Sequence, residues 1–217
     1  MIPVLATVGV AVSMLVSPVS DEVAATPTVP PIGQVSAEVV TVNGSGCPIG
    51  AVDVTVAEDN ASFTVSYGDY LAQVGGDANP TDIRQNCQIS LLVEAPGGFT
   101  YAIVQADYQG FARLENGVTA LQSASYYIQG ESETKVLSHS FAGPLDERWH
   151  TTDQLATSDL SDASFASCGT DRNLNINTEL RVADEAADSD ATSSFISMDS
   201  MNGEVSATYQ FAWKQCS

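Results

Sequence analysis

Basic charge is what this chain most obviously lacks. Seven Lys and Arg face 27 Asp and Glu in 217 residues, a formal net charge of −20. Such a field repels phosphate backbones and anionic lipid surfaces, which argues against nucleic acid and membrane partners. It would attract a cation, a cationic polymer or a basic protein. Histidine is scarcer still, with only His139 and His150. No two cysteines have CxxC spacing and both histidines are far from them, which removes the usual zinc frameworks. Charged residues of either sign are only 16% of the chain. The surface must therefore be built largely from Ser, Thr, Asn, Gln and Gly. Long apolar runs are confined to the N-terminus, and helical periodicity is almost absent.

What is present points to export. Ile2 to Val16 is nearly all apolar, and small residues and Pro18 follow. The run is short for a membrane span and fits a signal peptide over 1–25, although its start carries no Lys or Arg. Pro27, Pro30 and Pro31 then mark an extended linker over 26–33. The remainder, 34–217, reads as one domain. Its four cysteines, Cys47, Cys87, Cys168 and Cys216, imply two disulfides in an oxidising compartment. Three pairings are possible. Cys47–Cys87 with Cys168–Cys216 is preferred because each bridge then staples a local strand group.

The domain alternates apolar and polar residues with period two. Val52–Val56, Phe63–Tyr67, Leu174–Val182 and Val205–Trp213 are the clearest strands. Glu115-Asn116-Gly117 is the sharpest turn signal, of the kind that closes hairpins. The expected fold is an all-β, jelly-roll-like antiparallel β-sandwich, with a β-barrel as the alternative. Long loops are expected at 75–86 and 143–170, with Thr151-Thr152-Asp153 as a polar loop or a helix cap.

Candidate chemistry is thin. His139 follows Ser138 in a strand, so the two point to opposite faces and cannot form a nucleophile–base pair. His150 sits beside Trp149 and near Asp146 and Glu147. No G-x-S-x-G elbow occurs, and no catalytic residue is assigned. Glu94, Asp107 and Glu179 are strand carboxylates that a glycosidase could use, against the plainer reading of a solvated outer face. Asp184, Glu185, Asp188 and Asp190 offer hard oxygen ligands for a structural calcium ion, with Asp77, Asn79 and Asp82 as a second cluster. Neither has EF-hand spacing, and a charged loop is the competing reading. Asn43 and Asn60 head glycosylation sequons at predicted turns. Arg84, Arg172 and Arg181 lie in acidic surroundings and read as forks that hold loops or sheet faces.

Asn173, Asn175 and Asn177 form a polar ladder on one side of a strand. It could meet a row of glycan hydroxyls or bond across to its neighbours. Tyr126 and Tyr127 must face opposite ways. One belongs to the core, and the other, with Trp149, is the better exposed aromatic for a carbohydrate platform.

Several stretches carry a resemblance. They are Asn43-Gly44-Ser45-Gly46-Cys47-Pro48, Phe63-Thr64-Val65-Ser66-Tyr67, Asn79-Pro80-Thr81-Asp82 leading to Asn86-Cys87, and Asp107-Tyr108-Gln109-Gly110. Phe99-Thr100-Tyr101-Ala102, Tyr126-Tyr127 with Gln129-Gly130, Cys168-Gly169 leading into Arg172–Thr178, and the closing Phe211-Ala212-Trp213-Lys214-Gln215-Cys216 complete the set. From about residue 40 onward the chain resembles a family of uncharacterised secreted proteins of filamentous fungi and actinobacteria, a domain of unknown function. The resemblance implies export and a cysteine-stapled β domain, and it brings no assigned activity or catalytic residue. This sequence is more acidic than the family pattern, above all at 184–190. The expectation is a secreted, non-catalytic β-sandwich that binds wall polysaccharide or a surface ligand. The alternatives are an interaction protein aimed at a basic partner and a carboxylate-based glycoside hydrolase.

Overall fold

A computed structural model describes residues 29–130, 134–154, 165–184, 193–198 and 207–216. The expected signal peptide, the first part of the linker, and Glu185, Asp188 and Asp190 lie outside the described residues.

Among the described residues the regular structure is all strand. In chain order these are β1 Ser36–Asn43, β2 Val52–Val56, β3 Ser62–Tyr67, β4 Leu71–Val74, β5 Arg84–Glu94 and β6 Phe99–Leu114. β7 Val118–Ile128, β8 Lys135–Ala142, β9 Leu145–Gln154, β10 Asn173–Asp184, β11 Ser194–Ser197 and β12 Ala207–Gln215 follow. They build two antiparallel sheets. One has five strands in the order β1-β5-β10-β7-β8. The other has seven, in the order β2-β3-β12-β6-β11-β4, with β9 paired to β6. The strand order of neither sheet closes on itself, so the fold is a sandwich and the barrel alternative falls.

Period-two burial positions every side chain discussed below. In β10, Leu174, Ile176, Thr178, Leu180 and Val182 face the second sheet, while Asn173, Asn175 and Asn177 face outward. β7 does the same, with Ala120, Gln122, Ala124, Tyr126 and Ile128 inside. The second sheet answers with Phe63, Val65, Tyr67, Tyr108, Tyr209 and Trp213. Phe63 stacks on Tyr209 at 4.9 Å between ring centroids, the offset arrangement that aromatic quadrupoles favour. Disulfides join Cys47 to Cys87 and Cys168 to Cys216.

Three sequence expectations change. Asn116-Gly117 does turn the chain, with Gly117 at φ 86° and the Val118 amide donating to the Glu115 carbonyl. It closes no hairpin, however, because β6 and β7 belong to different sheets. It is a sheet-crossing arch. A second crossing, at Gly143-Pro144, packs against it, and a Cβ on Gly143 would lie 1.9 Å from the Glu115 carbonyl oxygen. Strand also replaces expected loop: β5 begins at Arg84, inside the expected 75–86 loop, and β9 occupies the start of the expected 143–170 loop, paired to β6 from Gln105↔Gln154 to Leu114↔Leu145. β4, just before the first of these loops, was not foreseen. Few apolar residues mark β9, since its register rests on backbone bonds to a long neighbouring strand. Thr151-Thr152-Asp153 is therefore strand and caps no helix.

The linker is partly docked as well. The Asn60 side-chain amide donates to the carbonyls of Pro31 and Gly33 at 3.2 and 2.7 Å.

Candidate functional site

Two polar regions stand out, on either side of the five-stranded sheet. The outward face is set by register. Asn175 lies level with Ser90 on β5 and Tyr127 on β7, and Asn177 with Gln88 and Ser125. β1 extends these rows with Thr41 and Asn43, and β8 brings Val136 and Ser138. Amides, hydroxyls and the Tyr127 ring thus run across β1, β5, β10 and β7 in the Asn175 and Asn177 rows, which hold no carboxylate, while the flanking rows hold Glu38 and Glu179. Asn173 donates to the Ser90 hydroxyl at 3.1 Å, and Asn175 to the Asn173 carbonyl at 3.4 Å. The ladder bonds partly across to its neighbour, as its bland reading required. At one end Glu179 is clamped by Arg84 and Arg181, the latter at 2.9 Å.

The two tyrosines separate as parity demands. Tyr126 is core, and Tyr127 is half-buried on the outward face beside Asn175. Trp149 is not exposed, which corrects the expectation. Because β9 is a strand, Trp149 turns inward and packs on Phe141 at 5.4 Å. Its neighbour His150 turns outward, away from any aromatic partnership with Trp149. It lies 3.7 Å from Asp107, whose carboxylate also accepts from Thr152 and Gln105.

The strand carboxylates do not assemble. Asp107 is on the outside of the seven-stranded sheet, Glu94 and Glu179 on the outside of the other. Glu179 pairs with Asn86, eight residues along β5 from Glu94; at about 3.4 Å per residue that is roughly 27 Å. Acid–base pairs in glycosidases need about 5–10 Å. Among the described residues no three His, Cys, Asp or Glu side chains gather to hold a metal. Asp184 ends β10. Asp82 Oδ2 is occupied instead by the Asn79 amide, the Asn79 side chain and Gln73. Those donors, the Asn79 backbone amide foremost, hold the Asp82 carboxyl below its ordinary range. Of the two sequons, Asn43 is exposed on the outward face, whereas the Asn60 amide nitrogen is committed to Pro31 and Gly33.

The second polar region lies between the sheets, where edge strands β8 and β9 meet. His139 faces inward and bonds Asp153 with Nε2 to Oδ1 at 2.7 Å. Asp153 is almost wholly buried, and burial raises its carboxyl above the ordinary value of 3.8, opposed by the His139 bond. Thr151 donates to the Gln122 side-chain carbonyl at 3.3 Å. Burial and the Asp153 charge together push the Tyr108 and Tyr126 hydroxyls upward. Asp153 escaped the sequence reading, although an acid on the inward parity of a strand is a signal once β9 is recognised. At one end of the sandwich, a cleft of about 890 Å³ opens beside the Cys168–Cys216 bridge, rimmed by Ser36, Glu94 and Asp171.

A family model described as a domain of unknown function, DUF4360, matches residues 33–216. The chain belongs to this family. A relative named "Uncharacterized secreted protein" from Arthroderma benhamiae is 32% identical over 177 residues, covering 82% of this chain and 70% of the relative. Export and two disulfides place the family member outside the cell. A solved structure, the enzymatically active domain of bacteriophage CBA120 tailspike protein 4, aligns over 81% of this chain. It does so over only 19% of its own length, at 12% identity and a TM-score of 0.25.

Proposed function

We propose that this secreted protein is a non-catalytic binding module whose ligand is a neutral, hydroxyl-rich wall polysaccharide. One observation carries the reading: in a molecule of net charge −20, the adjacent Asn175 and Asn177 rows carry no carboxylate across β1, β5, β10 and β7. Solubility alone would spread acids there as elsewhere. Amides and hydroxyls about 4.8 Å apart along each row, in rows about 6.8 Å apart, can pair with repeated sugar hydroxyls. Tyr127 supplies the aromatic surface against which a sugar ring packs. Asn43 sits at the corner of the same face, so a glycan there and a bound polymer would compete.

The test is pull-down on insoluble β-glucan, chitin and cellulose. Retention of the native protein on at least one is expected, with about tenfold weaker retention for Asn175→Ala/Asn177→Ala/Tyr127→Ala. Equal retention of both, or none on any polymer, removes the reading.

The net charge favours a second reading, in which a basic protein is the partner. Capture that disappears at 0.5 M salt would mark it. A structural calcium ion at the acidic run beginning with Asp184 is the remaining expectation. It predicts a higher melting temperature in millimolar calcium than in chelator, and equal values dismiss it.

A further inference from the structure

The groups between β7, β8 and β9 fit one another incompletely, and the mismatch has a definite chemistry. Asp153 is 2% exposed, Gln122 0% and Tyr108 0%. Yet Asp153 Oδ2, Gln122 Nε2 and the Tyr126 hydroxyl find no hydrogen-bond partner among the described residues, and the Tyr108 hydroxyl has only that of Tyr209. Leaving one such group unpaired costs about 1–3 kcal/mol, and more for a charge. They also belong together. Gln122 is the cross-strand partner of His139, His139 bonds Asp153, and Thr151 joins Gln122 to the strand that carries Asp153. Thr151 is level with Tyr108 on β6. The Asp153 charge acts on both Tyr108 and Tyr126.

The unmet groups select the ligand. Asp153 Oδ2 requires a donor. Gln122 Nε2 requires an acceptor. The tyrosine hydroxyls serve as either. A bare cation would satisfy only the acceptors. An anion would face the Asp153 carboxylate. Molecules that both donate and accept satisfy the whole set.

We propose that the inter-sheet space around Asp153, Gln122, Tyr108 and Tyr126 is a binding site for hydroxylic molecules, either ordered water or the hydroxyls of a small polyol, with His139 at its mouth. His139 suits that place. Its side chain is 29% exposed while its partner Asp153 is 1%, and it lies on β8, the edge strand of its sheet. The site is separate from the outward face, so failure of polysaccharide binding there leaves it standing.

A high-resolution crystal structure of the full secreted chain, purified without glycerol or sugar, tests this directly. Discrete water oxygens within hydrogen-bond distance of Asp153 Oδ2 and Gln122 Nε2 are expected. A polyol carried through from the host would support the same site with the other ligand source. Direct protein–protein bonding of both atoms, with no small molecule between them, overturns the proposal. In solution, water-oxygen magnetic relaxation dispersion should report long-lived internal water. Its amplitude should fall by about half in Gln122→Leu, which removes the amide without an acid. An unchanged amplitude in a folded Gln122→Leu overturns the proposal as well. The native crystal structure decides the matter if the variant does not fold.

Discussion

Asn177 and Gln122 carry the same amide group on adjacent strands, one on each face of the five-stranded sheet. Asn177 faces solvent among Gln88 and Ser125, where water satisfies whatever the protein leaves unpaired. Gln122 lies at 0% exposure beside His139 and Thr151, where nothing is satisfied unless the protein or a bound molecule does it. Identical chemistry is therefore inexpensive and available for binding outside, and structurally demanding inside. The difference teaches that polar residues in this fold must be read by strand parity before they are read by type.

That comparison can be broken in several places. The largest effect is expected where the two regions share a support. Cys87 anchors β5 from its inner face while Gln88 projects outward. A bridge across a sequence separation of 40 contributes about 4 kcal/mol in the chain-entropy picture. Cys47→Ser/Cys87→Ser should lose stability on that scale by denaturant titration, and polysaccharide retention should weaken with it. Next comes Gly143→Ala. The added Cβ meets the Glu115 carbonyl where the two sheet-crossing turns pack, and backbone must move, for a loss of about 3 kcal/mol in calorimetry. Asp153→Ala should cost about 2 kcal/mol, because His139 loses its buried partner. The smallest effect belongs outside. Asn177→Ala should change stability by less than about 0.5 kcal/mol while reducing polysaccharide retention. A large stability loss there would erase the contrast between the faces.

The pH dependence sharpens the comparison without removing any packing. Burial raises the Asp153 carboxyl above 3.8 in the folded state, so the folded state binds that proton more tightly than the unfolded chain does. The associated stability is fully present below 3.8 and is lost as pH rises through the raised native value. On acidification from pH 7 toward 4, the native protein should therefore gain this contribution, and Asp153→Asn should not. Calorimetric melts at a series of pH values should show the two curves converging or crossing toward acid. Parallel curves would mean that Asp153 is not titrating in a buried setting.

The strands that alternate cleanly, such as Leu174–Val182 and Ala207–Trp213, were legible because each apolar residue on one parity has a core to enter. β9 was not. Leu145-Asp146-Glu147-Arg148 reads as an exposed loop, and only pairing to β6 makes it a strand. Trp149 lost its expected exposure for that reason, since parity along a strand decides which side chain enters the core. Asn116-Gly117 was legible as a turn but not as a sheet-crossing one. Turn chemistry sets local dihedrals and says nothing about which sheet receives the next strand. The Asn ladder was visible in sequence, yet its neighbours Ser90, Gln88 and Tyr127 became neighbours only through register.

By itself the sequence determined export, charge sign, the sulfur staples and the period of two, because each is a local property of composition or spacing. Tertiary structure alone decided which acids lie on opposite faces, which histidine meets a buried carboxylate, and which polar rows stand side by side. Those are outcomes of long-range strand pairing, whose energy is shared between segments distant in the chain and is written in none of them singly.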